Sequence, residues 1–322
     1  MDKITLIIPC YNEQSAIPFL KKELYKVMEG FEGVEFEVIL VDNCSEDDTL
    51  SMMKELHRED PRFQYISFSR NFGKDSSMYA GLKASTGDYV TIMDADLQDP
   101  PELLHEMYEA LKTGEYDCAA AYRADRKGEP WLRSVLAERF YKLINKISDA
   151  EMVSGARDFR LMTRQMVDAV VSLEESERFT KGIFSWVGFR TKWIPFENRE
   201  RVAGKTKLPM RSAFSYALRG IVAFSTAPLV LTSILGMGIC VFAFFYTIFV
   251  IIRQLVSHEA VPGYPSLMCV LLFGFGITFL VLGIIGQYLA QMYLEVKHRP
   301  KYIVRESSLA GDKDDGRQGA VR

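Results

Sequence analysis

The 322-residue sequence has no Cys-x-x-Cys pair and no cluster among its four histidines, and its five cysteines (Cys10, Cys44, Cys118, Cys240, Cys269) are scattered. A structural zinc site and a disulfide framework are therefore not expected, and the cysteine usage suits a reducing compartment. Basic excess is also missing. Lys and Arg number 39 against 42 Asp and Glu, a net charge of −3, so no nucleic-acid partner is expected. There is no Gly-x-Gly-x-x-Gly and no Walker-type loop, which argues against the usual dinucleotide fold and the P-loop fold. A secretory leader is not expected either: Asp2 and Lys3 lead into an apolar run of only Ile4 to Ile8, too short for a signal core and better read as a buried strand.

Charge itself is absent from two long stretches, between Arg219 and Arg253 and between Glu259 and Glu295. Each exceeds the roughly 20 residues that cross a bilayer core, which predicts two spans at about 228–252 and 266–290. Lys205, Lys207, Arg211 and Arg219 precede the first, and Lys297, Arg299, Lys301 and Arg305 follow the second. The connecting loop holds one Arg, one Glu and one His, so the positive-inside rule puts both outer flanks in the cytoplasm. Tyr264, Tyr288 and Tyr293 suit the interfaces. The segment Met210–Ser225 mixes Arg211 and Arg219 with Phe214, Tyr216, Leu218 and Ile221 and reads either as an amphipathic surface segment or as a buried linker helix. Disorder is expected from Ser307 onward, where Gly, Asp, Lys and Arg dominate.

Residues 1–200 are of another kind. Short apolar runs at Ile4–Ile8, Phe36–Val41, Phe63–Ser67, Tyr89–Met93 and Cys118–Ala121 alternate with helical patterns at about 15–29, 47–58, 75–85 and 100–112. That alternation predicts βαβ units and a mostly parallel sheet. Asp99, Pro100, Pro101 and Glu102 read as the cap and first turn of the fourth helix. Ligands of such sheets bind at the C-terminal edge. Polar clusters fall there: Pro9-Cys10-Tyr11-Asn12-Glu13, Asp42-Asn43-Cys44-Ser45, Arg70-Asn71-Phe72-Gly73-Lys74 and Asp94-Ala95-Asp96-Leu97-Gln98. Each alone is ordinary turn chemistry; four in succession point to a site. Asp94 and Asp96, one residue apart after a strand, point the same way and repel unless a cation lies between them. Hard Mg²⁺ or Mn²⁺ fits such oxygen ligands and shares its shell with a diphosphate, with Gln98 as a neutral oxygen nearby.

These motifs resemble glycosyltransferase family 2, and more narrowly the polyprenyl-phosphate glycosyltransferases, which include dolichol-phosphate mannose synthases and bactoprenol glucosyltransferases. The runs Phe140–Ser148, Asp158-Phe159-Arg160-Leu161-Met162 and Lys181–Gly188 are most similar to the bactoprenol group. The resemblance spans about residues 4–300. It implies an α/β fold of GT-A type (Rossmann-like, mostly parallel) over 1–208, a juxtamembrane segment 209–227, a two-helix transmembrane domain 228–294 and a tail 295–322 on the cytoplasmic side of the cell membrane. It implies inversion at the anomeric carbon and a divalent metal. Residues matching Pro9, Tyr11, Glu13 and Asp42 hold base and ribose in the family, with Asn12 and Lys74 in the same nucleotide-binding motifs. Asp94, Asp96 and Gln98 match the residues that handle metal and diphosphate. The sequence departs from the family pattern where Asp-Asp-Gly-Ser becomes Asp42-Asn43-Cys44-Ser45 and where Ser-Lys-aromatic becomes Thr206-Lys207-Leu208.

The implied acceptor, a polyprenyl phosphate, brings an anion that must lie close to a diphosphate, which calls for arginine. Arg123 and Arg139 are the expected acceptor-phosphate ligands, whereas Arg126 and Arg133 read as solvated. Arg201, Gly204, Lys205 and Lys207 form a loop that closes over the donor or rests on anionic lipid. Asp158 is expected to position substrate rather than to accept a proton. UDP-glucose is the favoured donor over GDP-mannose, a homo-oligomer such as a tetramer fits the family, and a non-catalytic membrane adaptor is the rival from another class. A processive polysaccharide synthase would need more spans and a Gln-x-x-Arg-Trp segment.

Overall fold

A computed structural model describes residues 1–123, 145, 153, 155–176, 178–197, 225–257 and 263–309. The elements are β1 (Asp2–Cys10), α1 (Ile17–Glu29), β2 (Val34–Asp42), α2 (Thr49–Glu59), β3 (Phe63–Phe68), α3 (Lys74–Ala84), β4 (Tyr89–Ile92), α4 (Leu103–Lys112), β5 (Cys118–Arg123), β6 (Ala156–Thr163), α5 (Arg164–Ser172), α6 (Thr180–Trp186), β7 (Thr191–Phe196), α7 (Ala227–Ser257), α8 (Tyr264–Val296) and β8 (Val304–Ser307). The strands form one sheet in the order β7-β5-β6-β4-β1-β2-β3-β8. β3, β2, β1 and β4 run parallel; β6 is antiparallel to its neighbours β4 and β5, and β8 is antiparallel to β3.

Apolar strand faces explain the layering. Ile4, Leu6 and Ile8 of β1 pack with Leu20 and Leu24 of α1, Met53 of α2 and Met107 of α4. Ile7, facing the other way, joins Met78 of α3, Val167 of α5 and Phe184 of α6. This is the period-2 split of a strand buried on both faces. Gly81 lets α3 approach β1, because a Cβ there would overlap the Ile7 side chain. Chain order reverses about β1, with β2 on one side and β4 on the other, and the crevice at that switch point is where open α/β sheets bind ligands.

The first five strands and four helices lie where the sequence predicts them. The start of α4 does not follow the expected cap: Glu102 precedes the helix without a side-chain cap hydrogen bond, and Asp99 is fully buried against Arg157. An ion pair inside the core outcompetes a cap at its rim. β6 and β7 were not legible, since Arg157, Asp158 and Arg160 interrupt the apolar pattern of one and Pro195 that of the other.

Helices α7 and α8 carry the two apolar stretches, and no residue of the Val270–Val296 window is buried. Phe242, Phe244, Phe245, Phe273 and Phe279 stand more than half exposed. Both helices are long and apolar enough to cross a membrane. The chain after them corrects the expectation of disorder at Ser307, Ser308 and Leu309, which are ordered, while residues 310–322 lie outside the described residues. β8 pairs with β3 through Ile66↔Ser307, Ser67↔Glu306 and Phe68↔Val304, and Ser308 N–H donates to the Tyr65 carbonyl at 3.0 Å. Tyr302 stacks on Phe68 with centroids 5.1 Å apart, and Lys54 pairs with Glu306 at 2.6 Å. Without β8 the backbone groups of β3 would form an open edge, and covering it outweighs the polar composition of the segment.

Candidate active site

The parallel register brings the edge clusters together. Cys10 pairs with Asp42 across β1 and β2, and Asp42 with Ser67 across β2 and β3. Asp42 is 1% exposed; its carboxylate accepts from Ser45 N–H at 3.0 Å and Ser67 Oγ–H at 2.8 Å. It shapes the loop after β2. Asn12, at φ 54, closes the loops after β1 and β2 together: its N–H donates to Ser45 Oγ at 2.9 Å and its Oδ1 accepts from Glu46 N–H at 2.8 Å. Glu13 N–H donates to Thr49 Oγ1 at 2.8 Å. Pro9, Tyr11 and Glu13 line this edge half-buried.

The departure from the family pattern has a structural use at one position and a cost at the next. The Asn43 side chain donates to Asn71 Oδ1 at 3.0 Å and accepts from Phe72 N–H at 2.8 Å, bracing the loop that leads into α3. Cys44 lies at φ 61, where the family's glycine carries no steric penalty and an L side chain does.

Asp94, Asp96 and Gln98 are half-buried while Ala95, Leu97 and Asp99 between and beside them are buried. The three polar side chains are thus the more accessible ones of this turn, and Gln98 N–H donates to Asp96 Oδ1 at 3.2 Å. Asp158 arrives from β6. Continuing the antiparallel register past Ile92↔Arg160 sets it level with Asp94. Lys74, the first residue of α3, places its Nζ 2.6 Å from Asp94 Oδ1 and 2.6 Å from Asp158 Oδ2. The partner of Asp158 is thus Lys74 and not the neighbouring Arg157 or Arg160: Arg157 Nε bonds Asp99 at 2.7 Å, and the Arg160 guanidinium lies 3.9 Å from the centre of the Phe184 ring.

Electrostatics follow from this arrangement. Burial alone would raise the Asp158 carboxyl, but Lys74, Lys181 and Arg160 outweigh it and hold it well below the usual carboxylate range. Burial would lower Lys74, and Asp158 and Asp94 push it above an ordinary lysine instead. Asp99 goes the other way: burial lifts it to about 6 against the pull of Arg157. Asp158 is therefore a firmly ionised carboxylate and a poor proton acceptor.

A divalent metal fits the residues present. Asp94 already holds a cation, the Lys74 ammonium, and the Asp94–Asp96–Gln98 cluster offers hard oxygen donors at a ligand-binding edge. Among the described residues no three His, Cys, Asp or Glu side chains form a ready metal cage, so a substrate would supply part of the shell.

Arg123 ends β5 half-buried, its N–H donating to Gly155 O at 3.0 Å. Gly155, at φ 82, permits that approach, because a Cβ would lie 2.9 Å from Arg123 O. Arg139 and the loop residues Arg201, Gly204, Lys205 and Lys207 lie outside the described residues, as does most of segment 209–227. From the sequence Arg157 is a candidate ion-pair partner of Asp158, but it pairs with Asp99, and Lys181 carries no expected role; its Nζ donates to Ala156 O at 3.2 Å. β6 brings Arg157 to the site and α6 brings Lys181.

The family model described as Glycosyl transferase family 2 matches residues 5–171. A prophage bactoprenol glucosyl transferase homolog of Escherichia coli (strain K12) is 39% identical over 303 residues, covering 94% of this chain and 98% of the relative. The bactoprenol glucosyl transferase of Shigella phage SfII is 39% identical over 305 residues, 95% of this chain and 98% of its own. A solved mannosyltransferase from Pyrobaculum calidifontis, in complex with GDP-Man and Mn²⁺, is 19% identical over 69% of this chain and 62% of that one, with a TM-score of 0.48.

Proposed function

Because the chain belongs to glycosyl transferase family 2, a family of GT-A enzymes, we propose that it transfers a hexose, glucose from UDP-glucose, to a polyprenyl phosphate such as undecaprenyl phosphate. The product is a lipid-linked sugar for glycosylation of the cell envelope. The observation that carries this reading is β8. A strand that follows two membrane-length apolar helices pairs with β3 in the same sheet that positions Lys74, Asp94 and Asp158. If both helices cross, the catalytic domain and the residues after α8 lie on one side, with the site tethered beside the bilayer where a lipid phosphate is presented. Lysine and arginine flanking the helices favour the cytoplasmic side. The relatives named for bactoprenol support the acceptor class.

The chemistry asks little of a base. A phosphate monoester, with a second pKa near about 6, is largely dianionic at neutral pH and attacks the anomeric carbon without losing a proton. The bond from the sugar to the nucleotide diphosphate breaks as the new C–O bond forms on the opposite face, which inverts the configuration. Asp158, held ionised by Lys74, orients the reactants through its charge and takes no proton. Pro9, Tyr11, Asn12 and Glu13 line the nucleotide side, and Asp94, Asp96 and Gln98 would hold Mg²⁺ or Mn²⁺, which when bound would supply positive charge to offset that developing on the diphosphate. Arg123 and Arg139 are the proposed acceptor-phosphate ligands.

The test is direct. Membranes bearing the protein are given undecaprenyl phosphate, divalent metal and a panel of labelled nucleotide sugars. A glucosylated lipid from UDP-glucose is the expected product. Product from GDP-mannose alone overturns the donor assignment, and no lipid-linked product from any donor overturns the function.

A further inference from the structure

Lys74 stands in a motif that reads as nucleotide-binding, yet its ammonium spends its contacts on two carboxylates of the protein, Asp94 Oδ1 and Asp158 Oδ2, each at 2.6 Å. Those carboxylates come from strands far apart in sequence and are set level by the β4–β6 register. Brought together without a cation, they would repel. The side chain of Lys74 is 42% exposed, so solvent reaches part of it although both carboxylates hold its ammonium.

We infer that Lys74 is a stand-in cation: it holds Asp94 and Asp158 together while the divalent ion is away, and yields Asp94 when that ion arrives with the nucleotide diphosphate. This rests on the metal reading above and adds a consequence to it. The ammonium competes with a bare metal ion for Asp94 Oδ1 and repels it. Binding of metal alone is therefore weak, and a diphosphate, whose oxygens complete the metal shell and draw the ammonium toward its own charge, tips the exchange. Metal and donor then enter together. Lys74 remains with Asp158 throughout, and so acts as a positioning residue.

The measurement is equilibrium Mn²⁺ binding to full-length protein in detergent, read from the free-ion EPR signal with and without UDP. Wild-type protein is expected to bind Mn²⁺ weakly alone and more tightly with UDP. Lys74→Met should bind Mn²⁺ alone about tenfold more tightly, the size expected for removing one ammonium a few ångströms away in a partly screened site. Lys74→Arg, which keeps the charge, should restore the wild-type value. Lys74→Gln serves as the second uncharged variant should the Met variant fail to fold. If Lys74 is simply a phosphate ligand, the uncharged variants weaken binding with UDP and leave binding of Mn²⁺ alone unchanged; that result overturns the inference. Failure of wild-type protein to bind Mn²⁺ even with UDP overturns the metal reading itself.

Discussion

Single side chains in this protein are read correctly only with their partners. Asp99 illustrates the point: the run Asp99-Pro100-Pro101-Glu102 satisfies every local rule for a helix start, yet the carboxylate is buried against Arg157, 58 positions away. Its carboxyl is lifted from 3.8 to about 6, chiefly by burial. Between those values the folded protein holds a proton that the unfolded chain has released, so this group makes stability fall as pH rises from about 4 to about 6, and adds no further slope above. Asp99→Asn removes that slope. Thermal unfolding should show the wild type losing up to about 3 kcal/mol relative to the variant across that window. Parallel pH profiles for the two proteins would contradict the assignment. The acidic cluster was legible, because Asp94 and Asp96 follow an apolar strand with Gln98 close behind. The partner of Asp158 was not, because Lys74 is 84 residues distant.

At the scale of elements, strands with uninterrupted apolar runs were legible and strands carrying site chemistry were not. β6 lays Arg157, Asp158 and Arg160 across the sheet, and those charges erase the periodicity by which strands are recognised. β8 escaped for a different reason. Apart from Val304 its residues are polar, and they pair with the edge that β3 presents. A chain ending at Arg299 should therefore lose roughly 3 kcal/mol, from Tyr302 and Val304 leaving their packing. Amide exchange across Phe63–Phe68 should accelerate in the same protein. Unchanged exchange there would mean that β8 does not cover the edge. The strap also touches the site, since Ser69 N–H donates to Ile303 O at 3.0 Å just before the loop that carries Asn71 and Lys74.

For the whole molecule, pairing of β8 with β3 makes topology a matter of arithmetic. Two crossings between the catalytic domain and β8 return the chain to the side it left, whereas one crossing would tear a strand from its sheet. A membrane-impermeant maleimide should label a cysteine introduced at Glu32, which is exposed on the catalytic domain, only from the cytoplasmic face of sealed vesicles. A cysteine introduced at Ala260, between α7 and α8, should label only from the other face. Labelling of both positions from one face would exclude the two-span arrangement.

The sequence by itself determined what depends on neighbours along the chain: the alternation of strands and helices, the two uncharged stretches, the flanking charge and the clustering of Asp94, Asp96 and Gln98 after a strand. These are periodic or compositional, and short-range sterics and solvent set them. Tertiary structure decided what depends on register. It joined Lys74 to Asp94 and Asp158, buried Asp99 against Arg157, spent Asn43 on the loop before α3 and drew a polar tail onto the edge of the sheet. Each of these balances a desolvation cost against a charge or hydrogen bond from a distant segment, and that balance exists only once the chain has folded.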